Sequence, residues 1–129
     1  SFADPWERGL LDEVLYYHAV FFFVSEYENK IIGFAVCGLE HTGEELYGHI
    51  MNIAVKKEKR GLGIGTALTE RLENEFILAG VTAIQLEVRI SNEDAIKFYE
   101  NIGYTPVFSI SNYYKDGEDA LLMMKWLYE

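Results

Sequence analysis

The sequence is poor in cysteine and in basic residues, and each shortage excludes a class of protein. Its single cysteine, Cys37, has no partner for an internal disulfide and supplies no zinc site by itself, so a disulfide-stapled secreted domain and a zinc module are both excluded. Eleven lysines and arginines stand against 21 acidic residues, and the formal charge of −10 would repel a nucleic-acid backbone. We therefore expect a protein of a reducing, cytoplasmic setting that binds no nucleic acid.

Long apolar runs are also missing. No run approaches the roughly 18 residues that a membrane-spanning helix needs. The first residues include Asp4, Glu7 and Arg8, which does not fit a basic-then-apolar leader. What remains is a chain of 129 residues, half of them hydrophobic, which is enough for one packed core and too short for two. The sequence predicts a single globular domain, residues 1–129, without a membrane segment.

Hydrophobic periodicity and the positions of glycine predict alternating helices and strands. The predicted elements, in chain order, are a helix from Pro5 to about residue 17, strands near 20–24, 31–39 and 46–55, a helix that ends at Gly80, a strand at 83–89, a helix at 93–101, and strands at 104–110 and 120–127. The strand at 83–89 alternates apolar and polar residues, so one of its faces is expected to be polar. The summed pattern indicates an α/β domain around one mixed sheet.

Glycines are concentrated at one strand-to-helix junction. They lie in the segment Arg60-Gly61-Leu62-Gly63-Ile64-Gly65. This segment follows a basic stretch, residues 56–60, that contains four of the eleven basic residues. Glycines allow a ligand to approach the backbone closely, and the amides and dipole of a helix N-terminus favour an anion such as pyrophosphate. A flexible turn without any ligand is the alternative interpretation of this segment.

Two phosphate-binding classes fit this junction poorly. A nucleotide-triphosphatase loop needs Gly-Lys-Ser/Thr at its end, whereas Gly65 is followed by Thr66 and Ala67. A dinucleotide-binding loop needs a third glycine where Thr66 stands, although an acidic residue, Glu87, follows about 20 residues further on. The dinucleotide fold stays open as an alternative, but such a fold should begin with this unit and not with a hairpin.

Several motifs together resemble the GNAT superfamily of acetyl-CoA-dependent N-acetyltransferases. They are Pro5-Trp6, Asn52-Ile53-Ala54-Val55, Arg60-x-x-Gly63-x-Gly65, Leu86-Glu87-Val88-Arg89-x-Ser91-Asn92, Phe98-Tyr99-Glu100-x-x-Gly103-Tyr104, Asn112-Tyr113-Tyr114 and Glu118-Asp119-Ala120. The last two narrow the resemblance to protein N-terminal acetyltransferases, in particular the bacterial ribosomal-protein alanine acetyltransferase and its archaeal relatives. Members of this family usually carry a further strand and helix before the Pro-Trp element, whereas this chain starts just short of it.

The resemblance implies a fold, a cofactor and a substrate. The fold is a GNAT-type mixed, mostly antiparallel sheet flanked by helices, with acetyl-CoA in a cleft between the strand near 47–55 and the strand near 83–89. The substrate is the α-amino group of a protein N-terminus, acetylated by direct attack in a ternary complex. Acetylation of small amines and a non-catalytic acyl-CoA-binding regulatory domain are the alternatives. A monomer or homodimer is expected, and an auxiliary subunit stays open.

The resemblance assigns two residues to catalysis. Glu87 would remove a proton from the amine, through a water, and Tyr99 would donate a proton to the departing thiolate. His49 is a second candidate base. Each residue also has a purely structural alternative: Glu87 paired with Arg89 or a lysine, Tyr99 packed in the core, and His49 held among apolar neighbours.

The remaining site residues are assigned to binding. The amides of Ile53, Ala54 and Val55 would hold the pantetheine arm and polarise the thioester carbonyl. The other predicted cofactor-binding residues are Arg60, Gly61, Leu62, Gly63, Ile64, Gly65, Thr66, Asn92 and Tyr99. The predicted substrate-binding residues are His49, Asn52, Tyr113 and Tyr114, and the alternative for the two tyrosines is an aromatic pair that covers a sheet edge. No metal is expected, and Cys37 is interpreted as a small buried hydrophobic residue.

Overall fold

A computed structural model describes residues 20–42, 44–56, 61 and 63–127 of the chain. The predicted N-terminal helix, the Pro5-Trp6 element, Arg60 and Leu62 lie outside the described residues. Within them, the elements in chain order are β1 (Val20–Tyr27), β2 (Lys30–Thr42), β3 (Glu45–Val55), α1 (Ile64–Ala79), β4 (Ala83–Arg89), α2 (Glu93–Asn101), β5 (Thr105–Ile110) and β6 (Ala120–Trp126). No helix in this described part is long and apolar enough to cross a membrane.

The predicted elements that fall on described residues are confirmed, most of them to within a residue or two. The first hairpin turns at Glu28 and Asn29, both with positive φ, and α1 ends at Gly80, whose φ is +86°. Two boundaries are wrong. β1 continues past residue 24 to Tyr27, and β2 does not end at Leu39 but stays paired with β3 to its last residue, Thr42. A polar side chain on an exposed strand does not disturb the backbone ladder, so the change in composition did not mark the end of β2.

The strands form one mixed sheet in the order β1-β2-β3-β4-β6-β5. Only β3 and β4 run parallel, and the other neighbouring pairs in the described sheet are antiparallel. The prediction of a mixed, mostly antiparallel sheet is therefore confirmed. The dinucleotide alternative does not fit, since that fold requires a mostly parallel sheet.

The core lies between this sheet and its helices. Its buried residues are Ala35, Cys37, Ile50, Leu72, Phe76, Val81, Ile84, Leu86, Val88, Tyr104 and Met123. Leu68, Leu72 and Phe76 recur along one face of α1, as the spacing predicted. The ring of Phe76 lies directly over Gly48, where a Cβ atom would come within 2.8 Å of the ring. The absence of a side chain at Gly48 therefore lets α1 approach the middle of β3.

The two parallel strands stay together for only part of their length. Tyr47–Ile50 pairs with Ala83–Leu86, and beyond these residues β3 follows β2 while β4 follows β6. The register of β3 against β2 also shifts after Ile50, so that Met51 is an extra residue opposite the partner strand. A bulge of this kind bends and twists the bulged strand. The two halves of the sheet therefore part at this point.

Candidate active site

A cavity of about 650 Å³ lies beside the last residues of β3. Its lining residues are Asn52, Ile53, Ala54, Val55, Gly61, Gly63, Ile64, Gly65, Thr66, Asn92, Asp94, Ala95, Phe98 and Tyr99. Every predicted cofactor-binding residue that the structure describes belongs to this set. Sequence reasoning missed Asp94, Ala95 and Phe98. Ala95 lies three residues after Asn92 and four before Tyr99, a helical spacing that could have found it.

The glycine-rich turn presents a helix N-terminus to this cavity. Gly61 and Gly63 have φ of +82° and +80°, a left-handed conformation that strongly favours glycine. The first backbone bond of α1 runs from the Ala67 amide to the Gly63 carbonyl, so the amides of residues 64–66 have no partner within the helix. The first turn contains no acidic residue and no side-chain cap. This end of α1 is therefore suited to an anionic ligand.

One edge of β3 is also suited to a ligand. Beyond Ile50, no strand of the described chain pairs with β3 on the side that faces β4. The cavity is lined along this edge by Asn52, Ile53 and Ala54, whose peptide groups have no neighbouring strand on that side. An extended chain that contains amide groups, such as a pantetheine arm, can pair with such an edge in the way an added strand does. The binding roles of these residues stay predictions.

Tyr99 lies in the wall of the cavity and is held by neighbouring rings. The rings of Phe98 and Tyr104 meet it edge to face, with centroids 5.2 and 5.7 Å away. Burial, with a smaller effect from the nearby Tyr114 phenol, raises the pKa of Tyr99 to about 12. The hydroxyl is therefore protonated at neutral pH, as a proton donor must be. Tyr99 both packs against the core and faces the cavity, so its two interpretations are compatible.

Glu87 and His49 meet where β3 and β4 part. His49 Nε2 lies 2.7 Å from Glu87 Oε1, and His49 Nδ1 lies 2.7 Å from Glu40 Oε2 on β2. The side chains of His49 and Glu87 are only 15% and 12% exposed, whereas Glu40 is 46% exposed. Burial by itself would lower the pKa of His49, but the hydrogen bonds and charges of Glu87 and Glu40 outweigh it and raise that pKa.

These contacts do not fit two of the structural alternatives, an apolar setting for His49 and a pair between Glu87 and Arg89. His49 is not surrounded by apolar residues alone, because both of its ring nitrogens contact carboxylates. Glu87 is not paired with Arg89, whose guanidinium binds two other acids. Glu40 was missed by the sequence analysis, which ended the second predicted strand at residue 39, directly before it. Its position beside His49 depends on the full length of β2.

The predicted tyrosine pair lies in the loop of residues 111–119, close to Glu87. Burial and the neighbouring Glu87 carboxylate raise the pKa of Tyr113, which is about half exposed. The ring of Tyr114 meets the Tyr113 ring edge to face at 5.0 Å and lies 4.1 Å below the Arg89 guanidinium. The two phenols therefore lie beside the candidate base, where a substrate could reach them.

Arg89 at the end of β4 binds this loop through two acids. Its Nη1 donates hydrogen bonds to Asp116 Oδ2 at 2.8 Å and to Glu118 Oε1 at 2.9 Å. Glu118 Oε2 in turn accepts the backbone N–H of Ser91 at 3.0 Å. Sequence reasoning gave Arg89 no role of this kind, although the motif that contains it was noted. Arg89 and the two acids form a clamp, the Arg89 clamp, that fixes the loop against the start of α2.

Comparison with known proteins adds a family and named relatives. The sequence model of the acetyltransferase (GNAT) family matches residues 1–104. An uncharacterized N-acetyltransferase of Methanocaldococcus jannaschii is 40% identical over 126 residues, which are 97% of this chain and 78% of that protein. An N-alpha-acetyltransferase of Sulfurisphaera tokodaii is 36% identical over 111 residues, 79% of this chain and 66% of that protein.

Solved structures of similar proteins agree with the fold. Naa20 of Chaetomium thermophilum in complex with a bisubstrate analogue matches with a TM-score of 0.85 and 30% identity, over 97% of this chain and 75% of that one. The Escherichia coli ribosomal-protein-S18-alanine N-acetyltransferase matches with a TM-score of 0.78 and 31% identity, over 98% and 81%. A chain of the NatC complex bound to Gag peptide and CoA matches with a TM-score of 0.83 and 25% identity, over 99% of this chain and 84% of that one.

Proposed function

The chain belongs to the acetyltransferase (GNAT) family, and from that premise we propose that it transfers an acetyl group from acetyl-CoA to the α-amino group of a protein N-terminus. A relative named N-alpha-acetyltransferase and a similar structure that holds a peptide together with CoA support this substrate and this donor. The observation that carries the proposal is the position of Glu87. It follows Leu86, the last residue of β4 that pairs with β3, and lies beside Tyr113 of the loop of residues 111–119. Glu87 is not itself among the residues that line the cavity.

The cavity has the groups that acetyl-CoA requires. The amides at the start of α1 fit its pyrophosphate, and the edge of β3 fits the amide groups of its pantetheine arm. An arm bound along Asn52–Val55 would bring the thioester toward Tyr99 and toward the point where the strands part. Acetyl-CoA itself supplies the activated acyl group.

The proposed chemistry uses one base and one acid of this chain. Glu87 accepts a proton from the substrate ammonium, and the free amine then attacks the thioester carbonyl, forming the C–N bond as the C–S bond breaks. The β3 amides would face the carbonyl oxygen, where negative charge develops. Tyr99, protonated at neutral pH, donates a proton to the departing sulfur, and the second proton that the nitrogen loses on becoming an amide restores the Tyr99 phenol. An α-amine suits this site because its pKa of about 8 lies well below that of lysine.

Direct attack in a ternary complex is favoured over an acyl-enzyme. Cys37 is the single cysteine of the chain and is fully buried in the core, and this burial raises the pKa of its thiol to about 12. A buried, protonated thiol is a poor nucleophile. The proposed order is therefore simultaneous binding of both substrates, followed by a single transfer.

The proposal is tested by thiol release from acetyl-CoA with a panel of peptides that differ in their first two residues. A matched peptide with a blocked α-amine and a free lysine is the control, and a small polyamine is included. Acetyl located by mass spectrometry on the α-amine, with none on the blocked peptide, would support the proposal. Release only with the polyamine would point to a small-amine enzyme. Tight acetyl-CoA binding without any release would point to a regulatory domain.

Assembly and location belong to the same proposal. We expect a cytoplasmic enzyme that acts as a monomer or homodimer, and the similarity to a chain of the NatC complex supports an auxiliary subunit as the alternative. Light scattering on the purified chain measures its mass in solution. If the purified chain is a monomer and acetylates peptides without any other protein, an auxiliary subunit is not obligatory.

A further inference from the structure

Glu40 reaches His49 diagonally across the β2–β3 ladder. Gly38 stands directly opposite His49, and Glu40 lies two residues further along β2 on the same face of the sheet. Its Oε2 lies 2.7 Å from His49 Nδ1, and about half of its side chain is exposed to solvent. The residue is therefore placed between solvent and the partly buried His49–Glu87 pair.

The two contacts of His49 determine which groups carry hydrogen. An ionised carboxylate only accepts hydrogen bonds, and neutral imidazole has only one N–H. Both ring nitrogens lie 2.7 Å from a carboxylate oxygen, so two donated bonds require the doubly protonated ring. In that arrangement Glu87 Oε1 receives the Nε2 hydrogen, and the second Glu87 oxygen is left for the amine. His49 then orients the base and does not itself accept the proton.

We propose that Glu40 is a positioning residue for acetyl transfer: by accepting the Nδ1 hydrogen of His49, it holds the ring so that Nε2–H fixes the carboxylate of Glu87. This inference rests on the proposed function, since the step it serves is proton removal by Glu87. Among the described residues, the titratable groups that face His49 are Glu40 from β2 and Glu87 from β4. Tyr113 from the loop of residues 111–119 interacts with both carboxylates.

A double-mutant cycle tests whether Glu40 acts through His49. Glu40→Ala, His49→Ala and the double variant are compared by kcat and by KM for the best peptide. We expect Glu40→Ala to lower kcat about tenfold with KM unchanged within about twofold, and to cost less than about twofold when His49 is already absent. Glu40→Gln should lose only about threefold, because its amide oxygen still accepts the Nδ1 hydrogen. The matched control is Glu44→Gln, on the exposed turn after β2, with kcat unchanged.

Either of two kinetic results would overturn the inference. One is a full loss on removing Glu40 in the His49→Ala background, which would mean that Glu40 acts independently. The other is an unchanged kcat for Glu40→Ala in the otherwise wild-type chain. Thermal unfolding and CoA affinity of every variant are measured beside the kinetics, so that a loss of fold is recognised as such. If His49→Ala unfolds, His49→Gln takes its place in the cycle.

A second measurement does not depend on acetylation. The imidazole pKa of His49 is followed by NMR in the full chain, with the His49 signal identified by its absence from the His49 variant. We expect Glu40→Gln to lower this pKa, because a negative charge next to the ring is removed. A wild-type chain that acetylates no peptide contradicts the proposed function. An imidazole pKa that Glu40→Gln leaves unchanged contradicts the inference about Glu40 alone.

Discussion

At the scale of single residues, Tyr99 and Tyr104 pack against each other but differ in what surrounds their hydroxyls. Tyr99 faces the cavity, whereas the Tyr104 hydroxyl donates a hydrogen bond to Glu73 Oε2 at 2.9 Å inside the fold. We expect Tyr99→Phe to lower kcat for thiol release about 100-fold with little change in KM for acetyl-CoA, because the thiolate loses its proton donor.

Tyr104→Phe is the matched control for that variant. It removes a hydroxyl of the same kind, but one that bonds to Glu73 and not to the cavity. We expect an unchanged kcat and a free energy of unfolding lower by about 1 kcal/mol. Equal kinetic losses in the two variants would mean that Tyr99 acts only through packing.

His49 also gives the fold a dependence on pH. Its pKa in the folded chain is raised above the ordinary value of 6.5, because the hydrogen bonds and charges of Glu87 and Glu40 outweigh the lowering by burial. The protonated ring therefore stabilises the folded state fully below pH 6.5, and this stabilisation is lost as the pH rises through the raised pKa. We expect the wild-type chain to exceed His49→Gln in free energy of unfolding by more at about pH 6 than at about pH 9.

Urea unfolding at the two pH values measures this difference, with the exposed His41→Gln as the control. A gap between wild type and His49→Gln that stays constant with pH, or that widens at the higher pH, would contradict a raised pKa of His49. The same gap in the His41 variant would show that the effect is not specific to the bridged ring.

At the scale of elements, the loop of residues 111–119 is held by a cation at the end of β4. Arg89 binds the loop through Asp116 and Glu118 and covers the Tyr114 ring. We expect Arg89→Gln to raise KM for the peptide about tenfold and to change kcat at saturation and CoA affinity little. The loop that is predicted to contact the peptide is then released, while the cavity stays intact. Steady-state kinetics and CoA titration measure the three quantities.

The control for this loop is Arg71→Gln on the exposed face of α1. Its ion pair with Glu75 is long, 3.9 Å, and such surface pairs contribute little. Both kinetic constants should stay at their wild-type values. A peptide KM that Arg89→Gln leaves unchanged would mean that the tyrosines are held in place by other contacts.

The sequence predicted the elements better than it predicted the links between them. Gly80 marked the end of α1 and strict alternation marked β4, because both signals are local. The contact between Glu40 and His49 depends on how far β2 runs and on its register with β3, and neither is written in a short window. The Arg89 clamp likewise joins residues about thirty positions apart, so only the folded chain brings Arg89 to Glu118.

The candidate site follows the same division. The described residues of the glycine turn were predicted because their motif fixes them together on one strand-to-helix unit. Of the cavity residues at α2, the motif gave Asn92 and Tyr99 but not the other three. The function of Glu87 could be proposed from its motif, but its hydrogen-bond partner could not. A strand residue meets whatever the neighbouring strand presents, and that choice is made by the parallel pairing of β3 with β4.

At the scale of the whole molecule, the charge of −10 predicts which peptides are bound more tightly. A negative field attracts a basic N-terminal segment, and salt screens the attraction. With acetyl-CoA held at saturation, we expect KM for a peptide with two lysines near its N-terminus to rise several-fold between about 20 and 300 mM salt. A neutral peptide of the same first two residues should change far less, and equal increases for both peptides would exclude steering by charge.

Because β3 and β4 separate at the site proposed for acetyl-CoA, we expect the stability of the fold to depend on the concentration of acetyl-CoA. Across its middle the described sheet is joined only by Tyr47–Ile50 against Ala83–Leu86. Acetyl-CoA bound along the free edge of β3, as proposed, would bond to the folded chain and not to the unfolded one, and mass action would then raise the stability of the fold with the donor concentration. A cell short of acetyl-CoA would thus hold an enzyme that is both idle and easier to unfold.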